Sequence, residues 1–213
     1  MFARLSSASL QEEMFQLLPY LCQFIGTEND QDVSQSCLQA LCYLSSCILP
    51  SSTVQPMLNM VRRIAASSSY KTKISMLEYL QVAVFTNFPQ LACSEDYVGQ
   101  VRDLVVSLLQ DENMTVRQKS AKILGGLLHS GFLAGDAVSS LLADMRGRVR
   151  QRMTRHGRRF AREEKEDRSR ALLHHSGVLG LCAFVEAFPY NVPKFVPPIL
   201  MELSTHLNDP QVS

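Results

Sequence analysis

An all-α fold of stacked helix pairs is the fold class this sequence predicts, and three observations predict it. Pro19, Pro56 and Pro198 each have a leucine two residues on (Leu21, Leu58, Leu200) and an apolar residue five on (Phe24, Val61, Leu203). Out of phase with that pattern, Glu28–Leu44 and Asp111–Leu127 both set an acidic polar turn before an apolar helix; superposed, Val33, Leu38, Leu41 and Leu44 meet Val116, Ala121, Leu124 and Leu127. The two copies lie about two periods of ~41 residues apart, the length of a HEAT or armadillo helix pair. No alternating apolar run of useful length supports a strand.

The elements follow in order. A first pair is expected over 10–25 and 31–48, with Pro19 at the start of its main helix or kinking it. A second is expected over 55–66 and 71–86, where Ile74, Leu77, Leu80 and Val84 recur at helical spacing and Pro89 closes the helix. The third, over 96–109 and 115–129, shows Val98, Val101, Leu104, Val105 and Leu108, then a turn at Asp111, then Val116, Ser120, Ile123 and Leu127. Gly125 and Gly126 in that helix suit close packing, and Gly131 and Gly135 break the chain. These pairs define a repeat region at 1–135.

At 136–170 the rhythm stops. A short helix over 137–145 precedes a basic stretch with almost no apolar periodicity, read as an exposed loop insertion. Repeat helices resume over 171–213. Val178, Leu181, Cys182, Val185 and Phe188 line one helix; a proline-rich link follows; Ile199, Leu200, Leu203 and Leu207 line the next. Asn208, Asp209 and Pro210 resemble another acidic turn, and the array is expected to be cut off there.

Composition bounds the function. Hydrophobic residues make up 46% of 213 and charged residues 19%, which excludes general disorder. The net charge of +1 conceals an asymmetry: Arg146–Arg170 holds 11 of the 21 basic residues and four of the 20 acidic ones. No signal peptide and no run near the ~20 apolar residues of a membrane span is visible. The six cysteines form no CxxC pair and read as reduced thiols of an intracellular protein. Adjacent His174 and His175 point about 100° apart on a helix and make no metal pair by themselves. No HExxH, P-loop or GxSxG pattern appears, so neither catalysis nor a cofactor is expected. The site-like feature is the segment Arg146, Arg148, Arg150, Arg152, Arg155, Arg158 and Arg159, suited to an acidic partner, to phosphates or to nuclear import. Phe160 is its one aromatic, so base stacking, and with it nucleic-acid binding, is not expected.

Against these readings, "GVLGLCAFVEAFPYNVP" (Gly177–Pro193) within His175–Gln211 resembles the C-terminal region of the large HEAT-repeat proteasome activators, and "LPYLCQFIGTENDQDVSQSC" and "VRDLVVSLLQDENMTVRQKSAKILGGLL" resemble the same family. The resemblance implies a cap on the α ring of the proteasome core particle that promotes degradation without ATP or ubiquitin. Acetylated histones are the implied substrates, in DNA repair and spermatogenesis, in nucleus and cytoplasm. It also implies a bromodomain-like stretch over about 65–153, whose acetyl-lysine pair falls at Gly131 and Phe132, glycine standing where relatives carry asparagine. Family members end in a hydrophobic-tyrosine tail; this chain ends Gln211-Val212-Ser213. From the residues alone, a HEAT-type transport or nucleic-acid adaptor using the arginine segment is the alternative.

Overall fold

The computed structural model describes residues 12–27, 30–150, 161–190 and 192–206. Their regular secondary structure is helical, with no strand among the described residues. The helices are α1 (Leu18–Thr27), α2 (Gln31–Ser45), α3 (Ser51–Ala65), α4 (Tyr70–Thr86), α5 (Phe88–Ala92), α6 (Glu95–Leu108), α7 (Met114–His129), α8 (Asp136–Arg150), α9 (Ala161–Glu186) and α10 (Val196–Ser204). The chain divides into two compact units, Met1–Leu104 and Val105–Ser213.

In the first unit, α1 packs on both α2 and α4, and α3 packs on α4 and on a 3-10 turn over Glu12–Leu17. The acidic turns do what the sequence suggests. Asp30 caps α2, its carboxylate accepting from Asp32 N at 2.9 Å and Val33 N at 3.5 Å. The helix expected from residue 10 is instead that 3-10 turn followed by α1, where Pro19 sits in the first turn and forfeits no helical bond. α3 begins at Ser51, earlier than expected, and carries Pro56 inside it. α5, between Pro89 and the third pair, was not foreseen; it buries Leu91.

The link between α2 and α3 is held by one side chain. Asn87, at the end of α4, is fully buried. Its Oδ1 accepts from Leu49 N at 2.7 Å, and its Nδ2 donates to Cys47 O and Ala83 O, each at 3.0 Å. One amide thus satisfies backbone groups of a non-helical link that has no ladder of its own. A second tie joins α3 to α6: Gln55 and Gln100 exchange amide hydrogen bonds at 3.1 and 3.0 Å, and Arg62 donates to Gln100 Oε1 at 3.1 Å. The cysteines are free thiols. Cys22 is fully buried, and burial pushes its pKa up to about 12, so it stays a thiol at neutral pH.

In the second unit, α9 is the central element, packed on α7, α8 and α10. Asn113 caps α7, accepting from Thr115 N and Val116 N, and Asp111 accepts from Asn113 N. Gly131 and Gly135 end the pair with φ of +73° and +58°, the left-handed region where a Cβ is costly.

Residue spacing shows how α7 and α9 run. A Cβ added at Gly125 would lie 3.4 Å from Ala183 O, and His129 Nδ1 lies 2.8 Å from Ala187 O. Both pairs are 58 residues apart. A constant offset means parallel, in-register helices, as successive returning helices of a repeat array must be. The offset exceeds the ~41-residue repeat, and the surplus falls in α8, the residues after it and the first turns of α9.

Three further expectations need correction. Val33 is 42% exposed whereas its counterpart Val116 is buried. Leu200 is 49% exposed, because a residue adjacent to buried Ile199 points about 100° away from it. The segment 136–170 is helical at both described ends. α8 continues to Arg150 because Met145 and Val149, four residues apart, give it a buried face against α9; α9 starts at Ala161. Residues 151–160, and the expected turn at Asn208–Pro210 with Leu207, lie outside the described residues.

Candidate functional site

Arg146, Arg148 and Arg150, the described members of the basic segment, are divided by their partners. Arg146 Nε donates to Glu202 of α10 at 3.1 Å. Arg148 is mostly buried: it pairs with Asp144 at 2.8 Å and donates to Ser176 Oγ of α9 at 3.1 Å. Both tie α8 to the helices beneath it. Arg150 is 75% exposed and 4.0 Å from Glu202, so its guanidinium remains available to solvent. Arg152, Arg155, Arg158 and Arg159 lie outside the described residues.

Gly131 and Phe132 supply a turn and a core side chain. Gly131 is exposed at positive φ, while Phe132 is 4% exposed. Neither lines the grooves described below.

The polar interior of the second unit lies between α7 and α9. Arg117 Nη1 donates to Asp111 O at 2.8 Å and Glu112 O at 3.0 Å, closing the turn before α7. Level with it on α9 sits His175, 6% exposed. Burial, and then the positive charge of Arg117 and the neighbouring His174, hold the His175 imidazole below its ordinary value. His175 Nδ1, Arg117 Nε and Ser120 Oγ are buried without a hydrogen-bond partner among the described residues. The neighbouring His174 makes an edge-to-face contact with His206, ring centroids 5.1 Å apart.

This arrangement gives acid sensitivity with a definite sign. As pH falls through the ordinary histidine range near 6.5, the unfolded chain takes up the proton that folded His175 resists. Stability contributed by neutral His175 is therefore present above that range and is lost as pH falls from it toward the depressed folded value. Thermal melts between pH 7.5 and 5.5 should show a falling melting temperature, and His175→Gln should flatten that slope. An unchanged slope in the variant would show that His175 is not its source.

Two open grooves flank helices of the repeat. One, of about 560 Å³, runs between α7 and α9 and is lined by Thr115, Gln118, Lys119 and Lys122 on one side and Leu179, Cys182 and Glu186 on the other. Another, of about 360 Å³, is mostly apolar and lies along α1 and α2 at Leu21, Val33, Cys37 and Ala40. Neither groups catalytic residues. Among the described residues no cluster of three His, Cys, Asp or Glu is placed to hold a metal, and no helix is long and apolar enough to cross a membrane.

Sequence comparison supplies what the geometry leaves open. Residues 171–213 match the family model "Proteasome activator complex subunit 4-like, C-terminal". The chain is 35% identical over 204 residues to proteasome activator complex subunit 4B of Danio rerio and 34% identical over 202 residues to proteasome activator complex subunit 4 of Homo sapiens, in each case covering 93% of this chain and 11% of the relative. Proteasome activator subunit 4 of Arabidopsis thaliana is 24% identical over 163 residues, 76% of this chain and 9% of that protein. Among solved structures, a designed armadillo repeat protein is 12% identical and covers 88% of this chain and 70% of its own at a TM-score of 0.33, so the fold assignment rests on the helices themselves. The chain spans about a tenth of the length of the curated relatives it matches. Over that span the chain is similar to the proteasome activator complex subunit 4 proteins, and its residues 171–213 match their C-terminal family model.

Proposed function

We propose that this chain is the C-terminal helical-repeat portion of a proteasome activator, working as a non-catalytic binding scaffold on the proteasome core particle. The observation that carries the reading is the identity of 34–35% across 93% of the chain to proteasome activator complex subunit 4 of two vertebrates. A helical-repeat architecture without a grouped catalytic constellation fits a protein that acts by surface shape. In this reading the scaffold contacts the α ring, and it promotes degradation without ATP or ubiquitin. Acetylated histones are its substrates, in nucleus and cytoplasm. Support for those finer statements is the family relationship alone.

The reading is tested by adding the chain to purified, latent core particle without ATP and following hydrolysis of a fluorogenic peptide. A rise in rate that saturates with chain concentration is expected; a rate unchanged at saturating chain would refute activation by this portion. For the substrate class, acetylated and unmodified histone-tail peptides are titrated in parallel, and equal affinity would remove acetyl-lysine recognition from the account.

A further inference from the structure

We propose that the groove between α7 and α9 is a docking site for an extended peptide that carries an acidic and a basic side chain three residues apart, with apolar side chains between them. The inference goes beyond the proteasome reading and does not depend on it.

The groove's charge is laid out along its length. α7 contains no acidic residue, and Lys119 and Lys122 line the groove from its middle turns. On α9 the acidic residue lining the groove is Glu186, at the helix's C-terminal end. Because Gly125 stands level with Ala183 and His129 with Ala187, Glu186 is level with Leu128, one and two-thirds turns beyond Lys122. At 1.5 Å per residue that separates the two charges by roughly 9 Å along the groove. An extended chain rises about 3.3 Å per residue, so roughly three residues cover the distance.

The remaining lining suits such a chain. Level with the stretch between the charges the lining is Cys182 and Ala183, with Ala121 and Leu179 beside Lys122; all are small or apolar, leaving room for side chains to pack. Thr115 and Gln118 on the rim offer a hydroxyl and an amide to a peptide backbone. The volume of about 560 Å³ is within the ~300–1,000 Å³ of ligand clefts. Lys122 and Glu186 are exposed, and neither forms an ion pair with a described residue. An occupant of single-sign charge meets one like charge; the mixed-charge peptide meets none.

The test uses the full 213-residue chain and three fluorescein-labelled peptides, Gly-Glu-Val-Val-Lys-Gly, Gly-Glu-Val-Val-Glu-Gly and Gly-Lys-Val-Val-Lys-Gly, with anisotropy at low salt. The mixed-charge peptide should bind about threefold or more tighter than either of the others, the scale of an exposed charge contact. Glu186→Lys, a surface change that spares the core, should transfer the preference to the doubly acidic peptide, and Lys122→Glu should transfer it to the doubly basic one. Equal binding of all three, no binding of any, or a ranking that neither variant alters would overturn the proposal. So would self-association of the chain abolished by these variants, which would make a second copy the occupant.

Discussion

Asn87→Ala should destabilise the first unit by about 2–4 kcal/mol, the largest loss expected from removing one polar side chain. The amide makes three hydrogen bonds, to Leu49 N and Ala83 O in the interior and to the part-buried Cys47 O. Its loss strands the Leu49 N–H and the Cys47 carbonyl at the link between α2 and α3, and each stranded buried group costs about 1–3 kcal/mol. Asn87→Leu should be no better, since shape without hydrogen-bonding capacity leaves the same groups unpaired. Urea unfolding by circular dichroism gives the loss directly; a change under 1 kcal/mol would show that the link finds other partners.

Gly177→Ala is expected to cost a similar ~1–3 kcal/mol for the opposite reason, overpacking. A Cβ at Gly177 would lie 2.8 Å from Met145 O, 2.8 Å from Val149 Cγ2 and 2.9 Å from Arg148 Cβ. The first contact is with backbone, so relief requires α8 to move away from α9 and to draw Arg148 off Ser176. Gly180→Ala should cost less, because the three atoms nearest its Cβ all belong to the Met145 side chain, which can change rotamer. Gly147→Ala is the internal control. It lies in the same α8, exposed, with nothing within 4 Å of the added methyl, and should stabilise by up to ~1 kcal/mol through helix propensity. Melting temperatures in the order Gly147→Ala, wild type, Gly180→Ala, Gly177→Ala are expected.

These residues also mark how far the sequence could be read. Helix pairs were legible because apolar stripes and acidic turns are local; the structure adds that Asp30 and Asn113 in those turns are the helix caps. The breaks at Gly131 and Gly135 were legible because only a few residue types tolerate positive φ. Asn87 was not: a lone amide in a link has no spacing signal, and its role comes from partners 38 and 40 residues away. Gly177 and Gly180 read as ordinary members of an apolar helix, although three-residue spacing of glycines is the one hint that a second helix approaches closely. The arginine segment misled most. Charge density suggested a loop, but Met145 and Val149 hold its beginning in α8, and Arg146 and Arg148 are engaged inside the unit. Of the described arginines, only Arg150 fits the expected role of an exposed contact.

Engagement of the proteasome core particle is the claim on which the functional account rests, and co-sedimentation of this chain with purified core particle tests it most directly. The account predicts saturable co-sedimentation, with lysine-reactive cross-links confined to α-ring subunits. A chain that stays in the supernatant at every core-particle concentration, while its circular dichroism shows the helices intact, would contradict it.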